Sequence, residues 1–187
     1  MDAFSYLSVL LSIIIGLGVT QLLTGLGRVI RHRDRVRIDW LPILWAVVLL
    51  VVFVQVWWSM FGLRNYVGWT FGSFLFILGQ TSALYLMAAV LLPEQLDAES
   101  VDLAGHYERQ RIWFFSFLVA ALVISLAKDR VMNGRWPSSL NFGFHILVMA
   151  LALSAIFIRQ RRYQEFAGIV GAVIFATYIV VLFPRLQ

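Results

Sequence analysis

The stretch WLPILWAVVLLVVFVQVWWSMFGL, residues 40–63, decides the fold. It runs without a single Asp, Glu, Lys or Arg, and Gln55 is the one strongly polar side chain inside it. As an α-helix it would be about 36 Å long, enough to cross a hydrocarbon core of about 30 Å. Lipid offers no hydrogen bonds to an open backbone, so an apolar stretch of this length can cross only as a helix.

Five similar stretches flank it. Membrane spans are expected over about residues 4–27, 40–63, 69–92, 112–127, 140–158 and 166–183. The fourth is the shortest, and Lys128 and Arg130 at its end are expected to reach outward to the headgroups. Residues 93–111, PEQLDAESVDLAGHYERQR, form the largest segment between spans. Leu96, Leu103 and Tyr107 recur there at near-helical spacing, and Pro93 suits a first helical turn. The segment is expected to form a short amphipathic helix on the membrane surface or an extension of its neighbours. The fold class predicted for residues 1–187 is therefore all-α: one polytopic helical membrane bundle of about six helices.

Composition agrees. Of 187 residues, 61% are hydrophobic and only 13% charged, whereas soluble domains carry about a quarter charged residues. The surplus apolar surface must face lipid. The 7 Trp, 15 Phe and 6 Tyr suit rings that anchor helix ends at the headgroups. With no cysteine, disulfides, thiolate metal sites and thiol redox chemistry are excluded. The N-terminus Met1-Asp2-Ala3-Phe4 lacks the basic start of a signal peptide, so the first span is expected to be retained.

The basic residues orient the bundle. Arg28, Arg31, Arg33, Arg35 and Arg37 follow the first span, Arg109 and Arg111 the third, and Arg159, Arg161 and Arg162 the fifth. These ten of the fifteen Lys and Arg lie on one side, against Arg64, Lys128, Arg130, Arg135 and Arg185 on the other. The excess places the first set in the cytoplasm, with both termini outside it and the protein in the cell inner membrane. Arg28, Arg31, Arg33, Arg35 and Arg37 also suit anionic lipid at the cytoplasmic face. The acidic run Glu94, Asp97, Glu99 and Asp102 on the same side is available to pair with them or to dock a soluble partner.

Within the spans, polar residues are few. On the first, Ser12, Gly16, Thr20 and Thr24 fall four apart and Gly27 joins their face, while Gly18, Gln21 and Gly25 make a second small or polar face. Small stripes let helices approach closely, so the first span is expected to be enclosed by protein. The third carries Gly79, Gln80, Thr81, Ser82 and Tyr85, the second Gln55, and the sixth Thr177 and Tyr178. Thr20, Gln21, Thr24, Gln55, Gln80, Thr81, Ser82, Tyr85, His145 and Thr177 are the candidates to line a path; Ser12, Gly16, Gly18, Gly25 and Gly27 are candidates for helix packing. Interhelical hydrogen bonding explains such residues as well as solute contact does. His145, in the fifth span, has Asn141 one turn earlier as a natural partner.

No Asp or Glu sits in mid-span, as carboxylate-coupled pumps commonly require. No metal-ligating cluster, phosphate loop or serine with a suitable histidine is legible, so no enzyme activity, metal or cofactor is expected, and no nucleic-acid module is present. Haem would need a second ligand, and His32 and His106 lie in loops on the far side from His145. A channel or carrier for a neutral or weakly charged species is the leading expectation. A non-catalytic subunit packed against other membrane proteins is the alternative. The small stripes point to a homo-oligomer or a place in a membrane complex. A faint echo, Arg64-Asn65-Tyr66 before the third span and Arg162-Tyr163 before the sixth, with Pro93 and Pro184 after them, suggests a 3+3 inverted repeat of the kind some transporters use.

Overall fold

The computed structural model describes residues 3–94, 101–134 and 136–182. Six long helices make up the protein: α1 (Ala3–Arg31), α2 (Trp40–Met60), α3 (Phe71–Leu91), α4 (Leu103–Asn133), α5 (Ser139–Phe157) and α6 (Arg161–Leu182). All six contain windows long and apolar enough to cross a bilayer. Large apolar side chains such as Phe71, Ile30, Val173 and Val180 stand exposed on the outside of the bundle, where lipid, not water, is their compatible solvent. The chain is a multi-pass membrane protein with an all-α helical fold.

The helix ends follow local capping chemistry. Asp39 opens α2 by accepting from the Leu41 N–H (2.8 Å), and Asp102 does the same for α4 through Ala104 (3.1 Å). Thr70 and Ser73 form a reciprocal capping box at α3. Gly134 closes α4 at φ 66°, a left-handed conformation that glycine adopts without a Cβ penalty.

Helix α4 is the largest departure from expectation. It begins at Leu103 and ends at Asn133, extending the expected span 112–127 at both ends. Residues 103–111 are thus the first turns of α4, the second of the two expected forms, an extension of a neighbouring span and not a separate surface helix: Leu103 and Tyr107 are buried in the core. Pro93 is not in a helical turn, since α3 ends at Leu91. Residues 95–100, with Leu96, Asp97 and Glu99, lie outside the described residues, as do Arg135 and residues 183–187.

Helix α4 packs chiefly along α3 and α5; α1 packs along α3 and α2, and α6 along α5 and α2. Helix α2 touches α1, α3, α4 and α6. The two halves are packed differently: α1 lies along α3, while α4 and α6 share no principal interface. Residues 32–39, 92–94, 101–102 and 158–160 gather at one end, called here the arginine-rich end. A two-residue parallel pairing joins β1 (Val36–Arg37) to β2 (Val101–Asp102). Arg28 donates to the Glu94 carbonyl, and Arg161 reaches Asp39 (2.7 Å) and Glu165 (2.8 Å). Among the described residues the basic and acidic loops meet through backbone pairing and the Glu94 carbonyl, and Asp39, outside the acidic run, pairs with Arg161.

Within one chain, helix α1 is enclosed along one face only. Its inward face is Leu11, Ile15, Gly18, Leu22, Gly25 and Val29, all buried, at alternating spacings of four and three. A Cβ at Gly18 would stand 2.2 Å from the Phe53 ring, and one at Gly25 would stand 2.8 Å from Leu92. Ser12, Gly16, Thr20, Thr24 and Gly27 are all exposed on the opposite face, and a Cβ at Gly16 or Gly27 would meet nothing within 4 Å. The inward seam uses the bulky residues because dispersion contacts need atoms on both sides; the four-apart small stripe is left outward.

Candidate functional site

A cavity of about 160 Å³ lies among α2, α3, α4, α5 and α6. Its wall is mostly apolar, with Trp45, Val52, Phe115, Leu151 and Phe175 among the lining residues. Its polar lining residues are Gln55, Gln80, Ser125, Lys128, His145 and Tyr178. Gln55 is little more than a helical turn before the end of α2, Lys128 similarly before the end of α4, and His145 within two turns of the start of α5. These groups therefore cluster toward the end opposite the arginines. The body of the cavity extends the other way, to Trp45 and Phe115.

Lys128 is directed inward. Its Nζ donates to Gln80 Oε1 (3.3 Å), and Gln80 lies about two and a half turns inside α3. The expectation that Lys128 reaches outward to the headgroups is overturned: a helical side chain leans toward its helix N-terminus, which here leads into the cavity. Arg130 instead caps its own helix through the Gly134 carbonyl (2.7 Å).

His145 is 7% exposed. Its Nδ1 is 2.9 Å from the Asn141 carbonyl, a contact that places the proton of a neutral ring on Nδ1. Nε2 then accepts from the Ser125 hydroxyl at 3.2 Å. Asn141 is the partner expected, by its backbone. Ser125 was not legible as one, because it comes from another helix, twenty positions earlier. The pair has the spacing of a nucleophile and its base, but a neutral carbonyl, and no carboxylate, holds the far nitrogen. The Tyr178 ring packs edge-on to both Phe144 (5.5 Å) and His145 (6.2 Å).

Of the residues marked in the sequence, the fold brings together Gln55, Gln80 and His145. The others stand elsewhere. Thr20 and Thr24 face outward on α1, and Gln21, partly buried there, is not in the cavity wall. Thr81 is fully buried and spends its hydroxyl on the Ile77 and Leu78 carbonyls. Ser82 and Tyr85 are partly buried but do not line the cavity. Thr177 is exposed and donates to Val173 O (2.9 Å); its neighbour Tyr178 is the one turned inward.

Toward the arginine-rich end the cavity is closed by two packed layers. Trp45, Phe114 and Phe115 interlock at centroid separations of 5.2–5.6 Å. Beyond them Tyr107 donates to Gln164 Oε1 (3.0 Å), and Gln164 donates to the carbonyls of Ala155 (2.9 Å) and Ile158 (2.6 Å). Arg111, 1% exposed, donates to the Ala155 carbonyl and to Ile156 O (2.8 Å). It therefore caps the C-terminus of α5, where orphan carbonyls and the helix dipole both favour a cation. Glu108, 3.7 Å from both Arg111 and Arg159, completes the layer. Arg111 was placed in a loop from the sequence. The signals against that were the near-helical spacing of Leu103 and Tyr107, which allowed this stretch to extend a neighbouring span, and the place of Arg111 one turn beyond Tyr107. His106, likewise expected in a loop, lies on α4 with Nε2 3.1 Å from Val90 O.

Among the described residues no three His, Cys, Asp or Glu side chains come together as a metal site would need. The arrangement is that of a polytopic membrane protein with a polar-tipped cavity inside its helix bundle. No family model, no curated protein and no solved structure matches the chain.

Proposed function

We propose that the protein is a carrier for a small, neutral or weakly charged solute that occupies the cavity among α2–α6. The observation that carries this reading is the convergence of Gln55, Gln80 and His145, from three separate helices, on one cavity. Gln80 and His145 each pair across helices, with Lys128 and Ser125, as packing residues do, but all of them share one wall with space beside them. A carrier fits better than an open channel, because the layers of Trp45, Phe114 and Phe115 and of Tyr107, Gln164 and Arg111 close one end. Passage would require those layers to part while the other end shuts.

The basic residues support an inner-membrane placement, with the arginine-rich end in the cytoplasm and both termini outside it. Arg31, Arg33, Arg35 and Arg37 are exposed at that end, which suits contact with anionic lipid. No catalysis is proposed.

The test is solute flux into liposomes containing the purified chain, across a panel of small neutral and singly charged solutes. Uptake of at least one solute is expected, together with its loss in Gln80→Leu. A panel without protein-dependent uptake removes the carrier reading. A second reading, a non-catalytic subunit of a membrane complex or a homo-oligomer, is favoured by the outward stripe Ser12, Gly16, Thr20 and Thr24, whose small side chains permit close approach of another helix. Purification in a mild detergent tests it: a stoichiometric partner or a defined oligomer supports it, and a monodisperse monomer opposes it.

A further inference from the structure

The charge on the cavity wall points to what it holds. Lys128 is the one Lys or Arg among the lining residues, and no Asp or Glu is among them. Asp129, the adjacent residue, acts through space on Lys128, His145 and Tyr178, but it makes no salt bridge with Lys128, which forms no ion pair among the described residues. Its one hydrogen-bond partner there is the neutral Gln80 amide. His145, with Nδ1–H given to the Asn141 carbonyl and Nε2 accepting from Ser125, is satisfied as a neutral ring.

An ammonium drawn inward among helices, half-buried and with no carboxylate in contact, gains from a counter-charge placed beside it. Because Gln80 Oε1 accepts from Lys128, the Gln80 amide nitrogen is the group left to donate. Gln55 has no hydrogen-bond partner among the described residues and offers a second amide. The site thus presents one positive charge with neutral donors beside it, and neither an arginine fork nor a nest of backbone N–H groups. That donor set matches a single negative charge better than a phosphate dianion. The remaining wall is apolar. A volume of about 160 Å³ is close to that of an apolar protein cavity that takes up one benzene molecule, about 150 Å³.

We propose that the cavity binds a small monocarboxylate whose apolar body is about the size of one aromatic ring, its carboxylate paired with Lys128 Nζ and its body directed toward Trp45 and Phe115. This rests on the reading of the cavity as a solute site and narrows the solute to an organic monoanion. The ion pair it forms is neutral overall, which lets the loaded bundle rearrange without moving an uncompensated charge through lipid.

The experiment uses the full chain in nanodiscs of zwitterionic lipid, titrated calorimetrically with benzoate, benzyl alcohol and benzylamine, which share one ring and differ in charge. Benzoate is expected to bind roughly 30-fold or more tightly than benzyl alcohol, and benzylamine not at all. In Lys128→Met, benzoate should fall to the level of benzyl alcohol while benzyl alcohol binding persists, which shows the cavity intact. Equal binding of benzoate and benzyl alcohol by the wild-type chain would overturn the anion assignment and leave the cavity reading standing. Failure of all three to bind would overturn both. A hexadecanoate arm separates a water-soluble acid from a membrane-derived one: weaker binding than benzoate supports the ring-sized body, and tighter binding overturns that size limit.

Discussion

Replacing Arg111 tests whether the arginine-rich end is locked as described. Its guanidinium is buried and donates to two carbonyls at the C-terminus of α5, Ala155 and Ile156. Hydrogen bonds from a charged donor contribute about 1.5–3 kcal/mol each, so the two together amount to about 3–6 kcal/mol. The guanidinium Nε has no hydrogen-bond partner, and burying the charge costs several kcal/mol that Glu108, 3.7 Å away, only partly offsets. Arg111→Met removes the bonds and that cost together, so the net loss is expected to be smaller, about 1–3 kcal/mol. Arg111→Ala adds a cavity and leaves the carbonyls equally unpaired, and should lose about 3–5 kcal/mol. At about 2–4 °C per kcal/mol for a chain of this length, Met should lower the unfolding midpoint in detergent by roughly 2–12 °C and Ala by more. A local readout separates capping from general damage. Hydrogen exchange should rise first at residues 154–164, where α5 ends and α6 begins, before it rises in α1 or α3. An unchanged midpoint in both variants, or exchange that rises uniformly along the chain, would refute the capping role.

Two further outcomes follow from the packing. Gly18→Leu should be destabilising by about 1–3 kcal/mol, because its Cβ would run into the Phe53 ring, whereas Gly16→Leu, with open space around it, should leave the monomer's thermal midpoint unchanged; equal effects at the two positions would place the wrong face of α1 inward. Asp39→Ala removes both the N-cap of α2 and the Arg161 ion pair, and should cost about 1–2 kcal/mol. Raised salt should weaken only the Arg161 share, so a loss abolished entirely by salt would argue against the cap.

The membrane character and the six helices were legible from the chain alone. A bilayer demands uninterrupted apolar length, and a run such as residues 40–63 meets that demand before any contact forms. Residues 103–111 were legible as helical, but whether they lay on the surface or continued α4 was decided only where Tyr107 and Arg111 find partners on α6 and α5.

Which face of a membrane helix turns inward was beyond the sequence. In water the apolar face must go inside, but lipid is as apolar as leucine and removes that rule. On α1 the stripe of small residues and the seam of Leu11, Ile15, Leu22 and Val29 were both eligible, and only the shapes of α2 and α3, with Phe53 set into the space at Gly18, chose between them. The same holds for the cavity. Gln55, Gln80 and His145 could be identified as polar groups in need of partners, yet Ser125, Lys128 and Tyr178 joined them only through the packing of α4 and α6. The direction of Lys128, outward to headgroups or inward to Gln80, depended on a neighbouring helix that no local pattern specifies.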